Sequence, residues 1–230
     1  DIGYTGLKFQ PDFVWTKQRN GTNRHVLTDS VRGTNSQLSS NNTDAQTTYS
    51  SNVTSFDING FTLGSATETN GVNNTYVSWN WYAPTAETNN AGANGADIAS
   101  TIKKNVDAGF SIVKYEANGS TTAANSLVQS GLSQEVEMFI HKNMDASGTW
   151  FVYHKDTGED NIMRLTDAAK QALAGFYAVD TNGNFGIRQS SAGSNGQDCI
   201  VYCFHSVSGY SKVDSYQGGQ TLNTANQVDF

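Results

Sequence analysis

The chain has 230 residues and a formal net charge of −7, from 14 Lys and Arg against 21 Asp and Glu. A negative chain without a basic run cannot neutralise phosphates, which excludes nucleic-acid binding. No apolar stretch reaches the roughly 18 residues that a membrane helix needs. Residues 1–4 show neither the basic nor the apolar region of a signal peptide. The length allows one large domain or two small ones.

The composition is that of a folded protein with little charge. Charged residues make up 15% of the chain and aromatic residues 11%, with 22 Gly and 2 Pro. Disordered chains are rich in charge and Pro and poor in aromatic residues, so this chain is not one of them. Asn, Ser, Thr and Gly beside aromatic residues are typical of strands joined by polar turns. The composition therefore predicts an all-β protein.

Five runs in the first half alternate apolar and polar residues, as half-buried strands do. They are Phe13–Lys17, His25–Asp29, Thr54–Asp57, Phe61–Leu63 and Tyr76–Tyr82. Asn59-Gly60 lies between the third and fourth runs and predicts a tight hairpin. The fifth run would place Val77, Trp79 and Trp81 on one face. With Trp15 and Trp150, these tryptophans are expected to pack mainly in the core.

The middle of the chain predicts a loop, a hairpin and a helix. Residues 84–97 are mostly Thr, Asn, Ala and Gly, which predicts a surface loop. Ile98–Ile102 and Phe110–Tyr115 predict a hairpin that turns at 105–109. Only 166–174 favours a helix, because a Thr can cap it, an Asp follows, and Ala, Lys, Gln and Leu have high helix propensity.

The two cysteines are expected to be free. Cys199 and Cys203 lie four residues apart in an apolar run. In a strand this spacing is about 13 Å, whereas a disulfide requires Cα atoms within about 7 Å. Two buried thiols fit folding in a reducing cytoplasm.

The two halves of the sequence correspond, and this repeat is the most informative feature of the chain. The main matching pairs are Phe13–Lys17 with Met138–Lys142, His25–Gly33 with Trp150–Gly158, and Tyr76–Trp81 with Cys199–Phe204. In the last pair, the apolar positions of one segment match apolar positions of the other. This match predicts that the shared face is buried.

A second repeat joins Gly109–Tyr115 to Gly209–Tyr216. It predicts either a piece of a longer tandem array or a chain whose two ends complete each other. The predicted organisation has four parts: a first β unit over 1–83, a loop and connecting hairpin strand over 84–108, a second β unit over 109–208, and the start of a further unit or a returning strand over 209–230.

No catalytic residues are predicted. A glycosidase needs two carboxylates about 5–9 Å apart, and the usual Glu-x-Asp-x-x-Glu strand pattern is absent. A hairpin of 138–142 with 150–154 would set His141 opposite Phe151 and His154 opposite Met138, so these histidines would not form a metal pair. A Gly-x-Ser-x-Gly nucleophile elbow is also absent.

Two groups of residues are candidates for binding. Asp180, Asn182 and Asn184 partly match the start of a calcium loop, but Ser191 stands where the bidentate Glu belongs. A hairpin turn without a cofactor is favoured there, and calcium is the ion that the alternative would bind. Tyrosines expected at strand ends or in loops are candidates to contact a sugar or a protein. They are Tyr49, Tyr82, Tyr115 and Tyr216.

Several phrases of the sequence together resemble a domain that recurs, often in tandem, in structural and tail proteins of marine tailed bacteriophages. They are Gly-Leu-x-Phe-x-Pro-Asp-Phe-Val-Trp (6–15), Asp-Ser-Val-Arg-Gly (29–33), Leu-Ser-Ser-Asn (38–41), Ser-Phe-Asp-x-x-Gly-Phe-Thr-Leu-Gly (55–64), Tyr-Val-x-Trp-Asn-Trp (76–81) and Gly-Tyr-Ser-Lys (209–212). The resemblance covers nearly the whole chain. Residues 130–200 depart most, since Glu-Val-Glu at 135–137 replaces a Pro-containing segment.

The resemblance implies an antiparallel β-sandwich of the concanavalin-A-like jelly-roll type, built here from two sequence-related units. It also implies a non-enzymatic virion component in a tail fibre, spike or surface appendage, made in the host cytoplasm and exposed on the virion surface. Its partners would be other virion proteins and further copies of itself. Two alternatives stay open, a lectin-like module for bacterial surface glycans and a capsid decoration protein. A hydrolase of host polysaccharide would need the carboxylate pair that the sequence lacks.

Overall fold

The computed structural model describes residues 2–165 and 169–218. In this part of the chain the strands are antiparallel and form sheets of three, eight, three and five strands. The α-helices of the described residues are two single turns, α1 (Thr67–Asn70) and α2 (Gln189–Ala192). The expected all-β architecture is therefore confirmed.

Eight strands form the first unit. They are β1 (Ile2–Thr5), β2 (Phe13–Gln18), β3 (Val26–Asp29), β4 (Ser36–Ser39), β5 (Thr47–Thr48), β6 (Val53–Asp57), β7 (Gly60–Leu63) and β8 (Tyr76–Trp81). A five-stranded sheet has the order β5-β4-β3-β2-β8, and a three-stranded sheet has the order β1-β7-β6. The hairpin expected at Asn59-Gly60 is the β6–β7 hairpin.

Three strands connect this unit to a second unit of eight strands. The connecting strands are β9 (Thr85–Asn89), β10 (Ser100–Asn105) and β11 (Phe110–Glu116). The second unit contains β12 (Leu127–Gln129), β13 (Met138–Asn143), β14 (Phe151–His154), β15 (Asn161–Arg164), β16 (Gln171–Ala172), β17 (Tyr177–Val179), β18 (Asn184–Ile187) and β19 (Asp198–Phe204). The sheet orders are β16-β15-β14-β13-β19-β11-β10-β9 and β12-β18-β17.

The two units have the same strand order. The sheet β5-β4-β3-β2-β8 corresponds strand by strand to β16-β15-β14-β13-β19, and β1-β7-β6 corresponds to β12-β18-β17. The short helices α1 and α2 occupy the same place, before the last strand of each unit. The repeat in the sequence is thus a repeat in the fold. The two units differ at one strand, because β19 also pairs with β11, whereas β8 pairs only with β2 among the described strands.

The four sheets are stacked as layers. On one face of the five-stranded sheet, Val14 packs with Val53 and Phe61 of the β1-β7-β6 sheet. On the other face, Phe13 packs against the eight-stranded sheet, with its ring centroid 4.2 Å from that of Tyr202. The β12-β18-β17 sheet covers the far face of the eight-stranded sheet. Each unit is therefore a two-layer sandwich, and the large sheets form the interface between units.

Alternation along the strands explains this layering, since neighbouring residues of a strand point to opposite faces. On β2, Val14 points to its own unit's small sheet, while Phe13 points to the second unit. On β13, Phe139 points to the small sheet of the second unit, while Ile140 points to the first unit. Both large sheets consequently carry apolar side chains on both faces. Burial of this apolar surface favours packing of each large sheet against a small sheet on one face and against the other large sheet on the other.

Buried polar groups also join the units. Arg32 Nε donates to Asp29 Oδ2 at 2.5 Å, and the Tyr202 hydroxyl on β19 donates to the same oxygen at 2.8 Å. Lys142 Nζ on β13 donates to the Thr43 carbonyl at 3.3 Å. Burial lowers the pKa of Lys142 to about 8. A buried charged group is stable only when its hydrogen-bond partners are in place. These contacts therefore fix the position of one unit relative to the other.

The helix expected at 166–174 is wrong over its described part. Gln171–Ala172 forms the edge strand β16, which pairs with β15. The remaining residues of the expected helix, 166–168, lie outside the described residues. Pairing with a neighbouring strand here outweighs intrinsic helix propensity, which is a weak preference.

The loop expected over 84–97 is wrong in part, because Thr85–Asn89 forms β9 and pairs with β10. A polar strand is stable at the edge of a sheet because only one of its sides needs a partner. The hairpin expected from 98–115 is confirmed as β10–β11. Cys199 and Cys203 are free and buried, as expected.

The tryptophans divide between core and surface. Trp150 is fully buried, and Trp15 and Trp81 pack against the core between the units. Trp79 is 48% exposed, so the expectation that it packs in the core is wrong. The second unit covers Trp81 at the end of β8 but leaves the middle of this edge strand open.

Candidate functional site

A cleft of about 620 Å³ opens where the two units meet the segment that follows β19. One wall is the end of β8 with Trp81 and Tyr82, and another is the start of β11 with Phe110. The third wall is the segment 210–214. The fold repeat creates this place, because Trp81 and Phe204 end the equivalent strands β8 and β19 and their rings meet at 6.3 Å.

Aromatic rings line one side of the cleft. The rings of Phe9 and Tyr82 lie 5.7 Å apart, and those of Phe110 and Phe204 lie 5.1 Å apart. Trp81 is 5.9 Å from Phe110. Phe110 is buried beneath this group, whereas the rings of Phe9, Trp81, Tyr82 and Phe204 are partly exposed. They offer an apolar surface, to which Trp81 and Tyr82 add a polar group.

Three polar atoms at the cleft have no hydrogen-bond partner among the described residues. They are Asn80 Oδ1, His205 Nε2 and Ser211 Oγ. Nδ1 of His205 donates to the carbonyl of Ser206 at 2.8 Å, which leaves Nε2 as an acceptor. Buried polar atoms normally have partners, so these three are placed to bind a polar ligand or another chain. With the rings beside them, they can bind by stacking and hydrogen bonding.

The four tyrosines predicted from the sequence do not form one site. Tyr82 lines the cleft and is 42% exposed, whereas Tyr49, at 41%, and Tyr216 are exposed away from it. Tyr115 is wrong as a candidate for external contact, because it is buried. Its hydroxyl contacts His141 Nε2 at 3.0 Å, and burial raises its pKa well above the usual value.

Sequence reasoning misses Phe9, His205 and Tyr210 as residues of the cleft. The sequence signal for Tyr210 is the phrase Gly-Tyr-Ser at 209–211, which corresponds to Gly-Phe-Ser at 109–111 and so marks a copy of the β11 sequence. Phe9 has no such signal, since it reaches Tyr82 only through a turn in which Lys8 has a φ of 61°.

The residues proposed for calcium lie in the β17–β18 hairpin turn. Asp180 Oδ1 accepts the backbone N–H groups of Asn182 at 2.9 Å and Asn184 at 3.0 Å. Asp180 Oδ2 accepts Asn184 Nδ2 at 2.8 Å, and this amide also donates to the Asn94 carbonyl. Asn184 Oδ1 is buried, and no described residue is its hydrogen-bond partner. The carboxylate of Asp180 is thus used to close the turn.

The carboxylates of Glu137 and Glu159 stabilise turns and loops of the second unit. Glu137 accepts Lys155 Nζ at 2.9 Å and the Ser206 N–H at 2.6 Å. Glu159 accepts the Val179 N–H at 2.8 Å, joining the β14–β15 turn to β17. The expected hairpin register is confirmed, with His141 opposite Phe151.

Over residues 2–165 and 169–218, no group of three or more His, Cys, Asp or Glu side chains is placed to hold a metal ion. Within the same residues, no helix has the length and hydrophobicity to cross a membrane.

Residues 2–226 match the family model of a domain of unknown function, DUF7483. No curated protein and no solved structure gives a significant match to the sequence.

Proposed function

We propose that this chain, which belongs to the DUF7483 family of domains of unknown function, is a non-enzymatic structural module of a tailed-phage virion. The phage assignment rests on the sequence resemblance, which also suggests the concanavalin-A-like jelly-roll class. The module would belong to a tail fibre, spike or surface appendage on the virion surface. Its partners would be other virion proteins and copies of itself, and it would be made in the host cytoplasm.

The observation that carries this proposal is that two equivalent units stack on each other through a well-packed interface. Apolar residues and buried polar groups both cross the interface between the large sheets. Asp12 adds a further link, since its Oδ1 accepts Lys103 Nζ of β10 at 2.8 Å. Such a stack resists bending between units, which suits a load-bearing part of a particle.

The role in the virion can be tested on particles of the phage that encodes the chain. Antibodies raised against the purified chain should label tails or appendages in immunogold electron microscopy. Labelling of the head would favour the capsid decoration alternative. Particles that contain no peptide of this chain by mass spectrometry would contradict both.

A lectin-like role is the second candidate, and the cleft favours it. Its aromatic rings and unpartnered polar atoms suit the apolar face and hydroxyl groups of a sugar. Binding of host surface polysaccharide would be measured by calorimetry. Tyr82→Ala should abolish saturable binding, whereas Tyr49→Ala, a tyrosine of equal exposure outside the cleft, should leave it unchanged. Equal binding by both variants would contradict a glycan site in the cleft.

A further inference from the structure

Within residues 2–165 and 169–218, β8 at the end of the five-stranded sheet pairs with a neighbouring strand on one side and is open on the other. β8 pairs with β2, and Arg19 N donates to the Thr75 carbonyl at 2.7 Å in register with this ladder. Hydrogen-bonded pairs alternate with non-bonded pairs in an antiparallel ladder. The main-chain groups of Tyr76, Ser78 and Asn80 therefore point to the open side.

The β8 edge also lacks the features that usually protect an edge strand. Its sequence Tyr-Val-Ser-Trp-Asn-Trp has no charge and no Pro, and its register contains no bulge. By contrast, the edge strands β5 and β16 have two residues each, and the edge strand β9 carries Glu87. Short length, charge, Pro and bulges prevent edge-to-edge pairing. β8 is consequently free to pair with another strand.

The second unit shows which strand the fold places at this position. There, β19 pairs with β13 on one side and with β11 on the other. His205 N donates to the Gly109 carbonyl at 2.9 Å, and the register continues with Ser111 opposite Cys203. The strand equivalent to β8 thus has a second neighbour of the β11 type.

The segment 209–216 is a copy of the β11 sequence. In this chain, much of the surface of that segment is exposed. Tyr210 and Tyr216 are 71% and 77% exposed. Ser206 N donates to Glu137 Oε2, and Val213 N donates to Ser206 Oγ at 2.9 Å. These bonds fold the start of the segment against the second unit, across the cleft from β8 of the same chain.

We propose that residues 209–215 of a second copy of this chain add to β8 as an antiparallel strand. The register of β11 on β19, transferred to β8, defines the pairs. They are Gly209 with Tyr82, Ser211 with Asn80, Val213 with Ser78 and Ser215 with Tyr76. Each of these pairs directs main-chain groups of β8 to the incoming strand. The pairing would replace the two main-chain bonds between Ser211 and Val207 and the bond from Val213 N to Ser206 Oγ that the segment makes within its own chain.

Two side-chain observations support this register. Asn80 Oδ1 and Ser211 Oγ have no hydrogen-bond partner among the described residues of the single chain. The proposed register makes these two residues direct neighbours on one face. Lys212 would lie opposite the half-exposed ring of Trp79. A cation close to an indole ring is attracted to its face.

The association is tested first by analytical ultracentrifugation of the full chain over a range of concentrations. Wild-type chain should associate, and Ser78→Pro should weaken association by more than about tenfold because it removes a central edge N–H. Thr48→Pro is the matched control, since the Tyr49 N to Asn35 O bond shows that Thr48 N–H points to the open side of β5. Thermal unfolding near the wild-type temperature for both variants would show that the fold is intact.

Disulfide cross-linking tests the register and the source of the strand. A Val77→Cys chain mixed with an Asp214→Cys chain should form a covalent heterodimer, because the two positions form a close, non-bonded pair in the proposed ladder. Val213→Cys in place of Asp214→Cys should not cross-link, since its side chain points to the other face. The native thiols are buried and do not interfere.

Two results would overturn the proposal. The first is a wild-type chain that stays monomeric at about 100 µM, far above the Kd expected of a specific interaction. The second is a Val77→Cys/Asp214→Cys double variant that forms its disulfide within one chain while the mixed single variants form none. That result would assign the open side of β8 to the chain's own segment.

Discussion

Arg32 and Asp29 form an ion pair in the interior of the protein, with side chains at most 1% exposed. The guanidinium also donates to the Leu27 carbonyl at 3.0 Å and to the Ser36 carbonyl at 3.3 Å. Tyr202 of the second unit completes the group through Asp29. Attraction and hydrogen bonding in such a pair offset the cost of burying both charges, so the loss of one partner is more costly than the loss of both.

Replacement of the cation tests this account. We predict that Arg32→Met lowers the free energy of unfolding by about 3–5 kcal/mol, because Asp29 is left charged in a buried site. Adding Asp29→Asn should recover part of the loss, since a neutral amide is less costly to bury. Urea denaturation followed by tryptophan fluorescence measures both. Equal stability of the single and double variants would contradict an uncompensated charge.

His141 is a buried titratable group with few partners. Its Nε2 lies 3.0 Å from the Tyr115 hydroxyl, and its Nδ1 has no hydrogen-bond partner in the part of the chain that the structure describes. Burial, with a smaller effect of Lys142, lowers its pKa to about 3. An unfolded histidine has a pKa of about 6.5. Between these values the unfolded chain binds a proton that the folded chain does not, so stability falls as the pH falls.

A histidine replacement should therefore change the pH dependence of folding. As the pH falls from about 6 to about 4, the free energy of unfolding should decrease less steeply for His141→Gln than for the wild type. The difference should be about 1.4 kcal/mol per pH unit. Guanidinium denaturation at several pH values measures the difference. His154→Gln replaces a partly exposed histidine on the adjacent strand by the same residue and is measured beside it as the matched control. Parallel curves for wild type and His141→Gln would refute the assignment.

At the scale of elements, the β17–β18 turn is closed by one carboxylate. We predict that Asp180→Ala lowers stability by about 1–2 kcal/mol, because two backbone N–H groups lose their acceptor. Calcium should not change the melting temperature of either protein, since the carboxylate is used within the turn. A calcium-dependent rise for the wild type that Asp180→Ala abolishes would instead identify an ion site.

The success of sequence reasoning varies from element to element for a physical reason. β2, β8 and the β6–β7 hairpin follow from alternation and turn residues, which are local properties. β9 and β16 do not follow, because these short polar strands exist only through the neighbours that pair with them. A local preference for helix or loop yields to that pairing.

At the scale of the whole molecule, the two units should unfold together. Phe13 of the first unit stacks on Tyr202 of the second at 4.2 Å, and polar bonds cross the same interface. We predict that Phe13→Ala lowers the free energy of unfolding by about 3–5 kcal/mol and shifts one cooperative transition. Differential scanning calorimetry measures this. Two separate transitions, in wild type or variant, would mean that each sandwich is stable alone.

The sequence by itself determined the longer alternating strands, the duplication of the unit and the free thiols. Each of these follows from spacing along the chain, which the backbone geometry of a strand converts directly into distance and direction. It also identified Tyr82, but as one exposed tyrosine among several.

Only the tertiary structure decided which apolar faces meet. The same alternation predicts a buried face for Trp79 and Trp81, yet the second unit covers only Trp81. Tyr115 is buried and Tyr82 is exposed, because the exposure of each side chain depends on which other elements pack against it. Burial of a side chain is a property of contacts between distant segments, and the order in which the four sheets stack is set by those contacts.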